Sequence, residues 1–172
     1  VGYSNQDKEQ KADILSVYVD EKGKPYNTAG KIDYVAGWYF KASLFIQGTK
    51  IRCAFVSTNS ICQGEQVAGV WKPLYDRFGI HIDFAHRTFR WDSEATLKAH
   101  VHCVIVGFSY AQTPETTIFE GERIIKANNI NAYLFDAPNV FIESRSLPLC
   151  NVPQIGIGYK PIDGGFYLFN EE

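Results

Sequence analysis

The order of apolar and polar residues along the chain predicts helices that alternate with strands. Three segments have the apolar spacing of three and four residues that is typical of amphipathic helices, namely 5–18, 31–47 and 64–78. Ser4 or Asn5 is expected to cap the first helix. In the second helix, the stripe expected to face the core consists of Val35, Trp38, Tyr39, Ala42, Phe45 and Ile46. Three further segments have the composition of strands, namely 51–58, 80–89 and 99–108.

The links between these segments predict how the strands run. Segment 51–58 is almost continuously apolar, which is typical of a strand that is covered on both faces. Because helix 64–78 separates it from strand 80–89, the three form a βαβ unit with parallel strands. The link to strand 99–108 is about ten residues long and has no helical spacing, which favours an antiparallel hairpin. We therefore predict an α/β fold with a mostly parallel sheet and one reversed strand at its end.

The chain changes character after Phe108. Residues 111–114 have the composition of a linker, and residues 116–127 are expected to form two short strands that are broken at 120–122. Glycine and proline are frequent in the remainder, which is typical of loops and short strands. The prediction is one unit over residues 1–110, followed by a linker and a small loop-rich β or α+β unit over residues 111–172.

Length and composition narrow the class of protein. The chain has 172 residues, of which 45% are hydrophobic, and a net charge of -2. This excludes an intrinsically disordered chain and a domain so basic that charge alone indicates nucleic-acid binding. The chain has no methionine and begins with valine. We expect it to be a piece of a longer protein.

Two further patterns predict a cytoplasmic protein that does not cross a membrane. No apolar run approaches the roughly 20 residues of a membrane-spanning helix, and the first thirty residues are too polar for a secretory signal. The four cysteines include no C-x-x-C pair, and Cys53 and Cys103 lie inside apolar runs. These two are expected to be buried, reduced thiols.

Four small hydrogen-bonding residues, Ser57, Thr58, Asn59 and Ser60, follow the first predicted strand. In open α/β sheets, ligands bind beyond the carboxyl ends of the strands. One interpretation is therefore a polar cluster that faces a substrate, in which the Asn59 amide pairs with the edge of an adenine. The other interpretation is that these residues cap helix 64–78. The pattern alone leaves both open.

A second cluster follows the next strand at the same edge. Residues 86–91, with the sequence HRTFRW, interleave three groups that can carry positive charge with two aromatic rings. Such a combination suits phosphate contact together with base stacking. A surface turn with one inward aromatic residue explains the pattern equally well.

Other catalytic motifs are not visible in the sequence. No cysteine or carboxylate cluster accompanies the four histidines, which include His100 and His102 on one strand face, and we predict no metal. The sequence contains neither a G-x-S-x-G elbow nor a phosphate-binding loop of the G-x-x-x-x-G-K-[ST] type.

Several segments in order resemble adenine-N6 DNA methyltransferases, and in particular the MmeI-like type IIG enzymes, which combine restriction and modification in one chain. Five segments resemble the methyltransferase domain: 30–39 (GKIDYVAGWY), 54–61 (AFVSTNSI), 64–67 (GEQV), 84–91 (FAHRTFRW) and 104–108 (VIVGF). Segments 148–153 (PLCNVP) and 160–165 (KPIDGG) resemble the start of the target-recognition domain of that family. The resemblance extends over essentially the whole chain.

The resemblance implies a bacterial parent protein with a partial Rossmann-like class I methyltransferase sheet, S-adenosyl-L-methionine as its cofactor and double-stranded DNA as its partner. In this family a target adenine is flipped out of the duplex. The catalytic Asn-Pro-Pro-aromatic tetrad of the family is expected just before Val1, so no catalytic residue is expected within the chain. The glycine-rich turn that binds the cofactor is also absent from the sequence.

The resemblance also implies roles for individual residues. Phe89 or Trp91 is expected to form the apolar wall against the flipped base, and Asn59, with Ser57 and Thr58, is expected to line the floor of the pocket. The residues expected to contact DNA phosphates are Arg87, Arg90, Arg145 and Lys160.

Two other classes of function remain open at this point. One is a DNA-binding module without enzymatic activity, although a negative net charge disfavours tight binding by the chain alone. The other is a methyltransferase for small molecules. The long segment after Phe108 disfavours this class, because an enzyme with a small substrate needs no domain that recognises DNA.

Overall fold

The computed structural model describes residues 1–91, 101–111 and 113–153. The three predicted helices are present as α1 (Lys8–Val17), α2 (Ala36–Ile46) and α3 (Gly64–Phe78). The predicted cap of the first helix is wrong. The Asp7 carboxylate accepts a hydrogen bond from the Gln10 backbone N–H at 2.8 Å, and the Gln10 side chain accepts one from the Asp7 N–H at 3.2 Å. This reciprocal pair begins the helix at Lys8 and leaves Ser4 and Asn5 outside it.

Helices α2 and α3 differ in how well their buried faces follow from the sequence. Helix α3 has the predicted bounds, and it ends at Gly79 in a left-handed conformation with φ of 62°. In α2, Trp38 and Phe45 of the predicted core stripe are 61% and 71% exposed. The buried face of α2 contains Phe40 instead. Helix α2 is apolar around most of its circumference, so spacing alone does not identify its inner face.

In the described part of the chain the sheet has five strands in the order β1-β3-β2-β4-β5. The strands are β1 (Arg52–Thr58), β2 (His81–Arg90), β3 (His102–Ser109), β4 (Thr116–Glu120) and β5 (Arg123–Ala127). The reversed strand, β3, is antiparallel to both β1 and β2, so these two run in the same direction. The two short strands predicted within residues 116–127 are confirmed, and they extend the same sheet.

Two details of the predicted sheet are wrong. Within the described residues only β2 and β4 pair in parallel, so the sheet is mixed rather than mostly parallel. Strand β3 also lies between β1 and β2 rather than at the end of the sheet. The short link makes β3 the hairpin neighbour of β2, and the other edge of β3 is then free to pair with β1.

Strand β1 is less covered than its apolar sequence predicts. It pairs with β3 alone among the described strands, and its residues alternate between exposed and partly buried positions as far as Ser57, which is buried. Val56, for example, is 50% exposed. Phe55 and Ser57, on one face of β1, contact Tyr39 of α2, whereas the residues that alternate with them point to the opposite face and are exposed, so the expectation of cover on both faces is wrong for the described part of the chain.

Strand β2 carries two bulges where it pairs with β3. The first lies between Ile82 and Phe84, which pair with consecutive residues of β3, so that Asp83 is the additional residue. The second lies between His86 and Phe89, where Arg87 and Thr88 face the single residue Val104. A bulge reorients the side chains of the strand that contains it, so the alternation of a regular strand does not hold at these two points.

An aromatic cluster joins the helices to the sheet. The Tyr39 ring of α2 lies 5.3 Å from the Trp71 ring of α3 and 5.4 Å from the Phe108 ring of β3. Trp71 is fully buried, and its indole N–H donates to the Ile61 carbonyl at 2.9 Å. The helices therefore pack on the sheet as a separate layer, which confirms the α/β class. No helix in the described residues is long and apolar enough to span a bilayer.

Candidate functional site

A cavity of about 320 Å³ opens where β1 and β2 end and β3 begins. This volume lies at the lower end of the range typical of small-ligand sites, roughly 300–1,000 Å³. The carboxyl ends of strands are also the edge at which α/β sheets bind ligands. The cavity is lined by Asn59, Cys62, Gln63, Gly64, Arg87, Thr88, Val104, Tyr133, Leu134 and Phe135.

Asn59 and Thr88 place polar groups in the cavity that are only weakly paired with each other. The Asn59 amide nitrogen lies 3.4 Å from the Thr88 hydroxyl oxygen, a long distance for a hydrogen bond; Asn59 is partly buried and Thr88 is exposed. An amide has two donors and an acceptor, so Asn59 retains hydrogen-bonding capacity for a ligand. Of the four polar residues at 57–60, Asn59 is the one that lines the cavity.

The three neighbours of Asn59 bond within the protein. The buried Ser57 hydroxyl lies 2.9 Å from the Tyr39 hydroxyl, and Ser60 donates to the Asp33 carboxylate at 2.5 Å. The Thr58 hydroxyl lies 2.9 Å from that of Ser60. The capping interpretation does not hold, because residues Asn59–Cys62 form a separate 3-10 helix and the N-cap position of α3 falls on Gln63.

Arg87 is held in place by two contacts beside the cavity. Its guanidinium donates to the Glu120 carboxylate at 2.6 Å, and its central carbon lies 4.2 Å from the centre of the Phe135 ring. The Arg87 side chain is 28% exposed. A charge-assisted hydrogen bond combined with a cation–π contact restrains both the position and the plane of the guanidinium.

The other predicted contact residues lie near the end of β2, after β5 or outside the described residues. Phe89 is partly buried and pairs with Cys103 of β3, whereas Trp91 is 45% exposed and its backbone N–H donates to the Val101 carbonyl at 2.8 Å. Neither ring lines the cavity. Arg90 and Arg145 are exposed. Lys160 and His100 lie outside the described residues.

The segment 131–135 lines the cavity, and the sequence did not point to it. Tyr133, Leu134 and Phe135 come after β5, in a stretch that by composition indicates only a turn and loops. The available signal was two aromatic residues that flank a leucine directly after an Asn-rich turn. The parallel pairing of β4 with β2 carries this segment to the cavity, and no local pattern in the sequence predicts that pairing.

The cavity also contains a thiol that does not ionise near neutral pH. Burial raises the pKa of Cys62 to about 12. Such a thiol behaves as a small apolar group rather than as a nucleophile. Within the described ranges no group of three or more His, Cys, Asp or Glu side chains is arranged to hold a metal ion.

Comparison with known proteins shows the family. The family described as MmeI, DNA-methyltransferase domain, matches residues 1–120. The chain belongs to this family. DNA methyltransferase A of Bacillus subtilis (strain 168) is 39% identical over 171 residues, which are 98% of this chain and 19% of that protein. The resemblance that the sequence motifs indicated is thereby confirmed.

A solved structure agrees with this assignment to the MmeI family. The type IIL restriction-modification enzyme MmeI, solved in complex with DNA, is 47% identical and superposes with a TM-score of 0.87. The match covers 96% of this chain and 22% of that enzyme. The chain therefore spans about a fifth of the length of these two relatives.

Proposed function

We propose that this chain is the second half of the methyltransferase domain, and the start of the target-recognition domain, of a site-specific DNA adenine-N6 methyltransferase. The parent is a combined restriction-modification enzyme of the bacterial cytoplasm that acts on double-stranded DNA. The observation that carries the proposal is the cavity at the carboxyl edge of β1 and β2, which is lined by Asn59 in a chain of the MmeI methyltransferase family.

In this proposal the cavity receives an adenine that has been flipped out of the duplex. The Asn59 amide can donate to and accept from the adenine edge, because its contact with the Thr88 hydroxyl is long at 3.4 Å. Ser57 and Thr58 support the floor through their bonds to Tyr39 and Ser60. Phe89 and Trp91, at the end of β2, provide apolar surface next to the entering nucleotide.

The same proposal assigns phosphate contacts to basic residues. Arg90 at the end of β2 and Arg145 after β5 are exposed and suit the DNA backbone, and Lys160 is assigned the same role. Glu120 already accepts a hydrogen bond from Arg87. We assign Arg87 to a phosphate next to the flipped nucleotide, where its remaining N–H donors are available.

The proposed cofactor is S-adenosyl-L-methionine, bound by other parts of the parent. The described residues do not fit it, because the turn from β1 into α3 contains a 3-10 helix rather than a glycine-rich loop. We therefore assign to this chain the holding and orienting of the base. In the same proposal β1, β2 and β3 belong to a Rossmann-like class I sheet that other parts of the parent complete. We assign residues 1–110 to the methyltransferase domain and residues 111–172, whose strands β4 and β5 extend the sheet, to the linker and the start of the target-recognition domain.

The test is transfer of a labelled methyl group from S-adenosyl-L-methionine to duplex DNA by the parent protein. We expect label on adenine N6, and we expect Asn59→Ala to lower kcat/KM for DNA about 10- to 100-fold, because a bidentate amide–base pair contributes about 1–3 kcal/mol. Asn5→Ala, at an exposed asparagine outside the cavity, is the matched control and should leave the rate unchanged.

Three results would contradict the proposal. Label on cytosine would exclude adenine-N6 specificity. A parent that binds duplex DNA without transferring methyl groups would favour a DNA-binding module. Transfer to small molecules alone would favour the third class of function.

A further inference from the structure

The segment 131–135, which we call the aromatic loop, is fixed by its own hydrogen bonds. The buried Asn131 side-chain oxygen accepts from the backbone N–H groups of Tyr133 at 3.0 Å and Phe135 at 3.1 Å. The Asn131 backbone carbonyl accepts from Leu134 at 2.8 Å, and its N–H donates to the Phe135 carbonyl at 3.0 Å. Four bonds centred on one asparagine hold the backbone in a single conformation.

Leu134 shows that this conformation is imposed on the loop. Its φ of 62° is the only positive value at a non-glycine position among the described residues. The left-handed region is unfavourable for leucine, and it persists only where surrounding contacts determine it. Here the Asn131 bonds do so, and the Leu134 side chain is 2% exposed within the core. Strained backbone of this kind concentrates at functional sites.

The strained turn directs Phe135 to the cavity while leaving about half of its side chain accessible. Phe135 is 49% exposed and lines the cavity together with Asn59. The Arg87 guanidinium covers the ring at 4.2 Å and is itself held by Glu120 of β4. The ring is therefore anchored on one side by a planar cation, and its remaining surface borders the space that Asn59 also borders.

The second bulge of β2 makes this arrangement possible. In a regular strand the consecutive residues Arg87 and Thr88 lie on opposite faces, yet both line the cavity. Because the bulge places both opposite Val104, Arg87 reaches Phe135 while Thr88 stays within reach of Asn59. A stacking surface and a hydrogen-bonding amide are thus positioned around one cavity.

We propose that the aromatic loop is a stacking wall for the flipped nucleotide, with Phe135 as the ring that contacts the base and Arg87 as a positioning residue that fixes that ring. This inference rests on the proposed function and adds to it a base-contacting residue from beyond β5. Base–aromatic stacking depends on the planar π face, whereas a leucine offers apolar surface without one.

The experiment uses the parent enzyme and a duplex in which 2-aminopurine replaces the adenine that the enzyme methylates. Fluorescence of 2-aminopurine reports unstacking of that base. Methyl transfer is measured in parallel on the same duplex with adenine at the target position, because 2-aminopurine has no 6-amino group to accept the methyl. We expect Phe135→Leu to change the fluorescence of the bound duplex and to lower kcat/KM about 10-fold, as loss of one base–aromatic stack predicts. Phe135→Tyr, which retains the ring, should keep both values near those of the parent.

The matched control is Phe45→Leu, the same substitution at a 71% exposed phenylalanine outside the cavity. It should leave fluorescence and kcat/KM unchanged. Arg87→Lys keeps the charge and loses the planar contact, and it should alter the fluorescence in the same direction as Phe135→Leu. Melting temperatures of all variants are measured, and the half-exposed position of Phe135 predicts only a small shift for Phe135→Leu.

The outcomes separate the two proposals. A parent that transfers no methyl group to adenine overturns the proposed function and with it this inference. A parent that methylates adenine, but whose Phe135→Leu variant shows unchanged fluorescence and kcat/KM, overturns the stacking wall alone. Equal losses in Phe135→Leu and Phe135→Tyr also overturn it, because they would show that side-chain shape rather than the ring matters.

Discussion

The two bulges of β2 have opposite surroundings. At the amino end, the bulge residue Asp83 is 6% exposed, and its carboxylate accepts from the hydroxyls of Ser109 at 2.9 Å and Thr113 at 3.0 Å. The imidazole of His81 lies 3.3 Å from the same oxygen. At the carboxyl end, Thr88 is exposed, and its contact with Asn59 is long at 3.4 Å.

This difference separates a structural bulge from one that suits a ligand. A buried charge is stable only if protein groups satisfy it, and the amino-end bulge supplies three such groups to one carboxylate oxygen. The carboxyl-end bulge leaves donors and acceptors facing a cavity. The same backbone irregularity therefore stabilises the fold at one end of β2 and brings hydrogen-bonding groups to a cavity at the other. Substitutions near the amino-end bulge should therefore lower the free energy of unfolding more than a substitution at the carboxyl-end bulge.

The largest effect is expected from Gly107→Ala near the amino-end bulge. A Cβ at this position would lie 2.0 Å from the ring of Phe84, which pairs with Gly107 across the sheet. Because both residues lie within paired strands, the ring must move, and we expect a loss of about 2–3 kcal/mol of unfolding free energy. Urea denaturation measures this loss.

The matched control for Gly107→Ala is Gly30→Ala, where a Cβ meets nothing within 4 Å. We expect its urea midpoint to stay within error of the unchanged chain. Equal midpoints for the two variants would show that the Phe84 ring can move away from the added Cβ without loss of stability.

A smaller and pH-dependent effect is expected at Asp83. Burial raises the pKa of this carboxyl group, but hydrogen bonds from His81, Ser109 and Thr113 outweigh burial and leave the pKa below its usual range. The carboxylate therefore adds stability above the unfolded-state pKa of about 3.9, and this contribution is lost as the pH falls through the lower folded-state pKa. Asp83→Asn should cost about 1–2 kcal/mol at pH 7.

The measurement at Asp83 is the free energy of unfolding between pH 7 and pH 2 for both proteins. The difference between them should begin to shrink below about pH 4, where the unfolded-state carboxyl group takes up a proton, and should disappear below the lower folded-state pKa, where the native carboxylate also becomes neutral. A difference that stays constant over this range would show that the ionised form of Asp83 does not stabilise the bulge.

The smallest effect on stability is expected from Thr88→Val at the carboxyl end. The side chain is exposed, and its hydroxyl has only the long contact with Asn59, so we expect a change below about 0.5 kcal/mol in urea denaturation. A loss as large as that of Gly107→Ala would remove the contrast between the two bulges.

The parts of the fold that the sequence predicted well have strong local signals. Helix α3 has one clear apolar stripe and a glycine stop, and its bounds are confirmed as Gly64–Phe78. The short break between β4 and β5 was visible in Glu120, Gly121 and Glu122, of which Gly121 has a φ of 58°. In both places the residues that determine the structure are adjacent or one turn apart.

The features of the fold that the sequence did not predict depend on contacts between residues that are far apart in the chain. The exposure of Trp38 follows from the way α2 packs against the rest of the protein, and the position of β3 follows from pairing on both of its edges. The bulges of β2 carry no glycine or proline that would indicate them. For the site, the sequence indicated Asn59 and Arg87, which line the cavity. It missed Phe135, because that residue reaches the cavity only through the β2–β4 pairing.

The position of β3 also determines the order in which the sheet can assemble. Arg52 of β1 pairs with Ser109 and Thr58 pairs with Cys103, so β1 has no described partner until β3 has been synthesised. Helix α3 and strand β2 emerge from the ribosome before that point. The pairing of β1 with β3 closes a loop that contains α3 and β2. Closing so long a loop is slow, and we expect the docking of β3 to limit the folding rate. Until β3 docks, β1 and β2 have unpaired edges, so we expect this interval of synthesis to be the one in which the chain is most prone to aggregation.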